Sequence, residues 1–165
     1  MTNIPKFKTA DLCDDHSENL IILNQQFNSY GKKDSFFGQI STVKCLNDNS
    51  KVREAVNSEG NRNVLVVDGS ASTACALLGD MLAEAAVNNN WSGIIVNGCI
   101  RDSDVIANID LGVFALSTIP LKSVKKNIGD RDVTVNFMGV DFNPGDYIYA
   151  DLDGIIISKK ELDIS

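Results

Sequence analysis

Two unbroken apolar runs, Val64–Val67 and Gly93–Val96, constrain this chain more than any other feature. A strand with one wet face alternates apolar and polar side chains, so runs without that alternation read as strands buried on both faces. Between them, Leu82, Ala83, Ala86 and Val87 recur at helical spacing within the segment from Gly79 to Asn89. The small residues in that segment let a helix lie close on a sheet. Buried strands alternating with a helix place the chain in the α/β class, with mixed sheets expected.

The flanking segments fill in that frame. Thr9 is expected to cap a helix reaching Asp15, Leu20–Leu23 suits either a short strand or part of a helix, and Gly31–Asp34 reads as a loop. Phe36–Leu46 mixes aromatic and β-branched residues and reads as a strand. Ser50 reads as the N-cap of a helix that turns Val52, Ala55 and Val56 inward, with Gly60 in the C′ role. Ala74–Leu78 is expected to be a strand that delivers the chain to Gly79, and Asn97-Gly98 a turn-prone exit from the Gly93–Val96 strand. Asp102–Ile109 suits one or two helical turns, and Val113–Leu116 a short strand. In the last third, Val133–Val140, Tyr147–Ala150 and Ile155–Ser158 read as strands. They are joined by Asn143-Pro144-Gly145-Asp146 and Asp151-Leu152-Asp153-Gly154, so antiparallel pairs are expected there. No Pro-, Gly- or Ser-rich linker divides the 165 residues, and a single domain spanning 1–165 is expected.

Composition removes several classes of function. A formal net charge of −7 argues against general nucleic-acid or anionic-membrane binding. The densest cationic run, Lys122–Lys126, reads as solvated loop. The four cysteines, Cys13, Cys45, Cys75 and Cys99, form no C-x-x-C pair, and the lone histidine, His16, sits in an acidic, polar setting. A zinc site is therefore not expected, and Cys45, Cys75 and Cys99 read as small buried hydrophobes. With one histidine, neither a Ser-His nor a Cys-His pair is persuasive. Asp68-Gly69-Ser70-Ala71-Ser72 lacks the further glycines and the lysine of a nucleotide-binding loop. The N-terminus carries no apolar signal region and no run approaches a membrane span, so a soluble, cytoplasmic protein is expected.

What chemistry the sequence offers lies between Leu78 and Asp104. Gly79-Asp80 opens a helix whose first N–H groups are available to an anion. Arg101 and Asp102 emerge where the strand of Ile94, Ile95 and Val96 runs out. A guanidinium offers a planar fork to a carboxylate, and an adjacent carboxylate suits a hard divalent cation that polarises a carbonyl. The same residues also admit a plain structural role, with Asp102 capping the following helix and Arg101 in a surface ion pair. The two readings stand near parity on these residues alone.

A set of further landmarks goes beyond that stretch. Phe37-Gly38-Gln39-Ile40, Thr42-Val43-Lys44-Cys45, Val64–Gly69, Gly79-Asp80-Met81-Leu82, Gly98-Cys99-Ile100-Arg101-Asp102, Val135–Val140, Gly145-Asp146 and Tyr149-Ala150-Asp151 occur in order along the chain. With them the sequence resembles, over essentially its whole length, the family of 4-hydroxy-4-methyl-2-oxoglutarate aldolases and of the regulator of ribonuclease E activity A. The resemblance implies a compact α/β/β sandwich of the swivelling-domain type, assembled as a ring-shaped homotrimer with sites between subunits. It implies that the backbone of Gly79, Asp80, Met81 and Leu82 holds a pyruvyl carboxylate, that Arg101 binds substrate, and that Asp102 is the protein ligand of Mg²⁺ or Mn²⁺. The implied reaction cleaves 4-hydroxy-4-methyl-2-oxoglutarate to two pyruvates through a metal-stabilised pyruvate enolate, with oxaloacetate decarboxylation as a side activity. Asp80, Glu84 and Asp104 stay open as the proton-transfer group. The other implication, favoured by the Phe37-Gly38-Gln39 segment and the short C-terminus, is a non-catalytic regulator that binds and inhibits ribonuclease E.

Overall fold

The computed structural model describes residues 6–24 and 27–164. Helix α1 (Thr9–His16) and a 3₁₀ turn (Ser17–Asn19) lead to β1 (Ile21–Leu23), β2 (Asn28–Ser29) and β3 (Phe36–Lys44). Helix α2 (Ser50–Val56), β4 (Val64–Asp68), β5 (Ala76–Leu78), helix α3 (Asp80–Asn88) and β6 (Gly93–Ile100) follow. Then come helix α4 (Ser103–Ile106), β7 (Gly112–Thr118), β8 (Asp130–Arg131), β9 (Val135–Phe137), β10 (Val140–Phe142), β11 (Tyr147–Asp151) and β12 (Gly154–Ser158). The fold is mixed α/β, and among the described residues no helix is long and apolar enough to cross a membrane.

The main sheet runs β1-β12-β11-β3-β4-β6-β7-β2, with β5 paired to β6 and β8 to β3. Pairing is parallel from β3 through β4 and β6 to β7, and antiparallel from β3 through β11 and β12 to β1. β3 joins the two halves: Phe36–Gln39 pair with β11, and Ile40–Lys44 pair with β4.

Alternation along the strands explains the layers. Leu65 and Val67, Ile94 and Val96, and Val113 and Ala115 face a core shared with Val52, Ala55, Val56, Ala83, Ala86 and Ile106 of the helices. Their neighbours Val64, Val66, Ile95 and Phe114 face a second core with Ile148, Ala150, Ile155 and Ile157, so the antiparallel half folds over the parallel half. Tyr149 and Ile156 point out of that second layer to meet Leu12 of α1. Strands β4 and β6 thus read as continuous apolar runs because they are covered on both faces, each buried Val or Ile contributing about 1.5–3 kcal/mol.

Several local expectations change. Asn97-Gly98 lies inside β6, because Asp68 pairs with Asn97, Ala76 and Ser117 pair with Cys99 beyond it, and the Asn97 amide donates to the Asp68 carboxylate at 3.1 Å. Val133–Val140 is interrupted by Met138 and Gly139, both at positive φ (52° and 74°), so β9 and β10 form a hairpin. Gly60 does not end α2: the C-cap is Asn57, and Gly60 packs on Trp91, whose ring lies 2.6 Å from where a Cβ would stand. Thr9 does not cap α1 with its own hydroxyl. Its N–H and hydroxyl both donate to Asp151, at 2.7 and 2.6 Å. Ser50 sits one residue inside α2, with Asn49 at the cap position. Leu20–Leu23 resolves to the edge strand β1, while β2 and β8 were not anticipated.

Candidate active site

Parallel strands that end together bring the loops after them to one edge, the usual ligand position in α/β sheets. β5 and β6 do this here. Leu78 pairs with Ile100, and the Arg101 N–H donates to the Leu78 carbonyl at 2.9 Å. The residues Gly79 and Arg101 therefore leave the sheet side by side, twenty-two positions apart in the chain, and α3 starts beside the Arg101-Asp102 turn.

Asp102 has φ 57° and ψ 40°, a left-handed conformation that Asp tolerates better than most residues. It occupies the N-cap position of α4, yet its side chain makes no cap bond there. Instead the carboxylate reaches back to α3: the Asp80 N–H donates to its Oδ2 at 3.1 Å. This seat exists because residue 79 has no side chain, since a Cβ on Gly79 would stand 2.8 Å from that oxygen. Arg101 Nε lies 3.9 Å from the same oxygen, with both side chains more than a third exposed. Such a pair adds little stability. The carboxylate thus caps the start of α3 rather than α4, and Arg101 makes the surface ion pair, a weak one.

At the start of α3, where the sequence suggests an anion cradle, two N–H donors are turned to the chain's own carboxylates. The Asp80 N–H goes to Asp102, and the Met81 N–H goes to Asp80 Oδ1 at 2.8 Å. Leu82 packs half-buried against the helix-side core, whereas Met81 is 80% exposed at the rim. Glu84 and Asp104 are exposed, on α3 and α4 respectively. The structure thus brings Gly79, Asp80, Met81, Leu82, Arg101 and Asp102 to one edge. Among the described residues no group of three His, Cys, Asp or Glu side chains gathers for a metal ion. A cation at Asp102 would hang on that carboxylate, with water and substrate oxygens completing its shell, an arrangement Mg²⁺ accepts. The half-exposed Asp102 carboxylate, bonded to a single N–H, has lone pairs to spare for it, so the residues fit the group.

Sequence reasoning missed the buried polar hub that supports this edge. Asp48 accepts bonds from the Ser50 N–H (2.8 Å) and hydroxyl, and from the N–H groups of Lys126 (2.7 Å) and Ile128 (3.1 Å). Burial opposes its charge, but those four donors outweigh burial and lower its pKa to about 2. Next to it, the Ser123 hydroxyl donates to Asn49 at 2.6 Å and the Asn49 amide to the Leu77 carbonyl of β5 at 3.2 Å. The Ala76 N–H donates to Leu121 at 2.8 Å, so the 121–128 segment holds the strand that delivers Gly79. Asp48-Asn49-Ser50 carries an obvious cap signal, but its partners in the 123–128 segment lie more than seventy residues away.

The comparisons with known proteins agree on the fold and differ in the activities they name. The family model described as RraA-like, Aldolase/RraA, matches residues 9–157. A Pseudomonas fluorescens (strain Pf0-1) protein, provisionally named 4-hydroxy-4-methyl-2-oxoglutarate aldolase, is 53% identical over 156 residues, which are 94% of this chain and 96% of that one. A solved structure described as S-adenosylmethionine: 2-dimethylmenaquinone methyltransferase, from Geobacillus kaustophilus HTA426, matches at a TM-score of 0.93. It is 47% identical, over 94% of this chain and 97% of that one. The RNA-processing inhibitor RraA from Thermus thermophilis matches at a TM-score of 0.92 and 35% identity, over 96% of each chain. One fold under three descriptions means that the activity has to be argued from the site.

Proposed function

The chain belongs to the Aldolase/RraA family, and on that premise we propose that it is a carbon–carbon lyase of the oxo-acid aldolase type. Its substrate in this reading is 4-hydroxy-4-methyl-2-oxoglutarate, cleaved to two pyruvates, and oxaloacetate decarboxylation is a secondary activity. The observation that carries the reading is the juxtaposition, at the ends of β5 and β6, of the α3 N-terminus, the Arg101 guanidinium and the half-exposed Asp102 carboxylate.

The residues divide the work by charge. The N–H groups of the Gly79–Leu82 turn donate to the pyruvyl carboxylate, those of Asp80 and Met81 exchanging for it the carboxylates they now bond. Arg101 pairs with the substrate and balances negative charge as it develops on the oxo-acid. Asp102 would hold Mg²⁺ or Mn²⁺, whose chemistry when bound would be Lewis-acid polarisation of the substrate carbonyl. Asp80, whose carboxylate the Met81 N–H releases when it turns to the substrate, positions a water for proton transfer. Exposed Met81 at the rim is consistent with a neighbouring subunit of a homotrimer closing the site.

Release of pyruvate in a coupled assay tests this. Activity with Mg²⁺ should disappear with chelator and in both Asp102→Ala and Arg101→Ala, while the circular dichroism spectrum is kept. Equal rates for wild type and Asp102→Ala would sink the proposal. The 35% identity to the RNA-processing inhibitor supports a second reading, in which the acidic surface binds the basic region of ribonuclease E. A pull-down with that nuclease at low and raised salt decides it, absence of capture at low salt counting against it.

A further inference from the structure

The net charge of −7 is unevenly spread. Residues 44–54 and 121–132 hold seven cations (Lys44, Lys51, Arg53, Lys122, Lys125, Lys126 and Arg131) against the four acids Asp48, Glu54, Asp130 and Asp132. The fold joins these segments through the pairing of β3 with β8 and through the bonds from 126–128 to Asp48 and Ser50. One corner thus carries +3, and the rest of the chain −10. Neither segment shows this alone, which is why Lys122–Lys126 reads as solvated loop in the sequence.

Within the corner is an open-sided groove of about 720 Å³ between α2 and the 125–127 segment. Exposed Arg53 lies on one wall, with exposed Lys125 and Lys126 on the other. Among the described residues none of these three is in an ion pair. Glu54, the acid of the groove, is held by Lys51 at 3.1 Å and Arg131 at 3.3 Å, so its charge is already answered. The lysine wall is anchored: the Lys126 and Ile128 N–H groups bond to Asp48, and the Asn127 N–H bonds to Ser50 Oγ at 3.1 Å.

We propose that this groove is a binding site for a small polyanion bearing at least two phosphate groups. Cations on both walls call for more than one anionic group, and an Arg fork opposite Lys point charges suits phosphate oxygens. Size is limited by the −10 elsewhere, which repels any polyanion long enough to leave the corner. The volume falls within the range of small-molecule sites.

Titration of ¹⁵N-labelled protein with pyrophosphate in metal-free buffer tests the site, with the amides of Gly79–Leu82 and Arg101 reporting separately on the Asp102 edge. Saturable shifts are expected at Lys125, Lys126, Asn127 and Arg53. The triple variant Arg53→Gln, Lys125→Gln, Lys126→Gln should bind at least about tenfold more weakly. A control variant, Lys159→Gln with Lys160→Gln, should bind as wild type does. All five residues are exposed, so both variants should keep the wild-type spectrum. Non-saturating shifts spread over the surface lysines, or equal weakening in both variants, overturn the proposal. So does a short single-stranded RNA that binds as tightly as pyrophosphate with shifts extending beyond the corner.

Discussion

Asp102 and Gly79 act as a pair at the residue scale. The left-handed backbone of Asp102 and the bare Cα of Gly79 together let a carboxylate sit over the start of α3. Gly79→Ala should displace that carboxylate and, in the proposed reaction, lower pyruvate release by at least about tenfold, since small misplacements at a reacting centre are costly. Thermal melting should shift by only a few degrees, because the position is half-buried at a helix end. Asp48 makes a different prediction, about pH. Its folded pKa of about 2 lies below the ordinary aspartate value of 3.8, so its stabilising contribution is complete above pH 4 and is lost as pH falls from there toward 2. Asp48→Asn should flatten that part of the stability–pH profile. Asp48→Ala, which leaves four part-buried donors without their acceptor, should cost about 2 kcal/mol in denaturant titrations. Residue types and loop positions of the site were legible in the chain. The direction of the Asp102 side chain was not, because local capping rules point it forward to α4 and only a donor twenty-two residues earlier turns it back.

At the scale of elements, β4 and β6 were legible because burial on both faces leaves an uninterrupted apolar run. α3 was legible because one packed face gives a 3.6 period. The misread elements are those whose neighbours decide them. Asn97-Gly98 has turn chemistry, yet the ladders to β4 and β5 carry it as strand, and Asp68 satisfies the Asn97 side chain. Met138-Gly139 has weak turn chemistry, yet it reverses the chain so that Phe137 and Phe142 stack at 4.3 Å. Gly60 looked like a helix stop and is instead the floor under Trp91, whose indole N–H donates to the Ser58 carbonyl at 3.1 Å. Gly60→Ala should push that ring aside and destabilise the protein by about 2 kcal/mol, read from the urea midpoint. If Gly60 served only to end α2, the substitution would cost a few tenths.

Across the whole molecule, the two sheet halves and the helices leave three thiols, Cys45, Cys75 and Cys99, in the interior. Burial, then the nearby Asp48 and Asp68 carboxylates and the Cys75 thiol, push Cys45 up to about 12. Burial likewise raises Cys75, with Cys99 and Asp48 adding to it. Thiolate is the reactive form. Mass-spectrometric mapping after alkylation at mild alkaline pH should therefore find half-buried Cys13 labelled first. Cys45 should react only in denaturant, with a midpoint matching loss of helical circular dichroism. Early labelling of Cys45 would mean that the corner joining β3 to the 121–128 segment opens independently of the rest.

By itself the sequence determined the α/β class, the buried parallel strands, the turn-rich antiparallel end and the edge where Gly79 and Arg101-Asp102 lie. These follow from periodicity and turn chemistry, which act over a few residues. Tertiary structure decided how β3 is shared between two sheet halves and which donor holds Asp102. It also decided that Asp48 pins a segment seventy-eight residues away, and that scattered lysines and arginines form one corner of an acidic protein. Those features depend on hydrogen bonds and charges between residues far apart in the chain, and no local pattern encodes a partner's position.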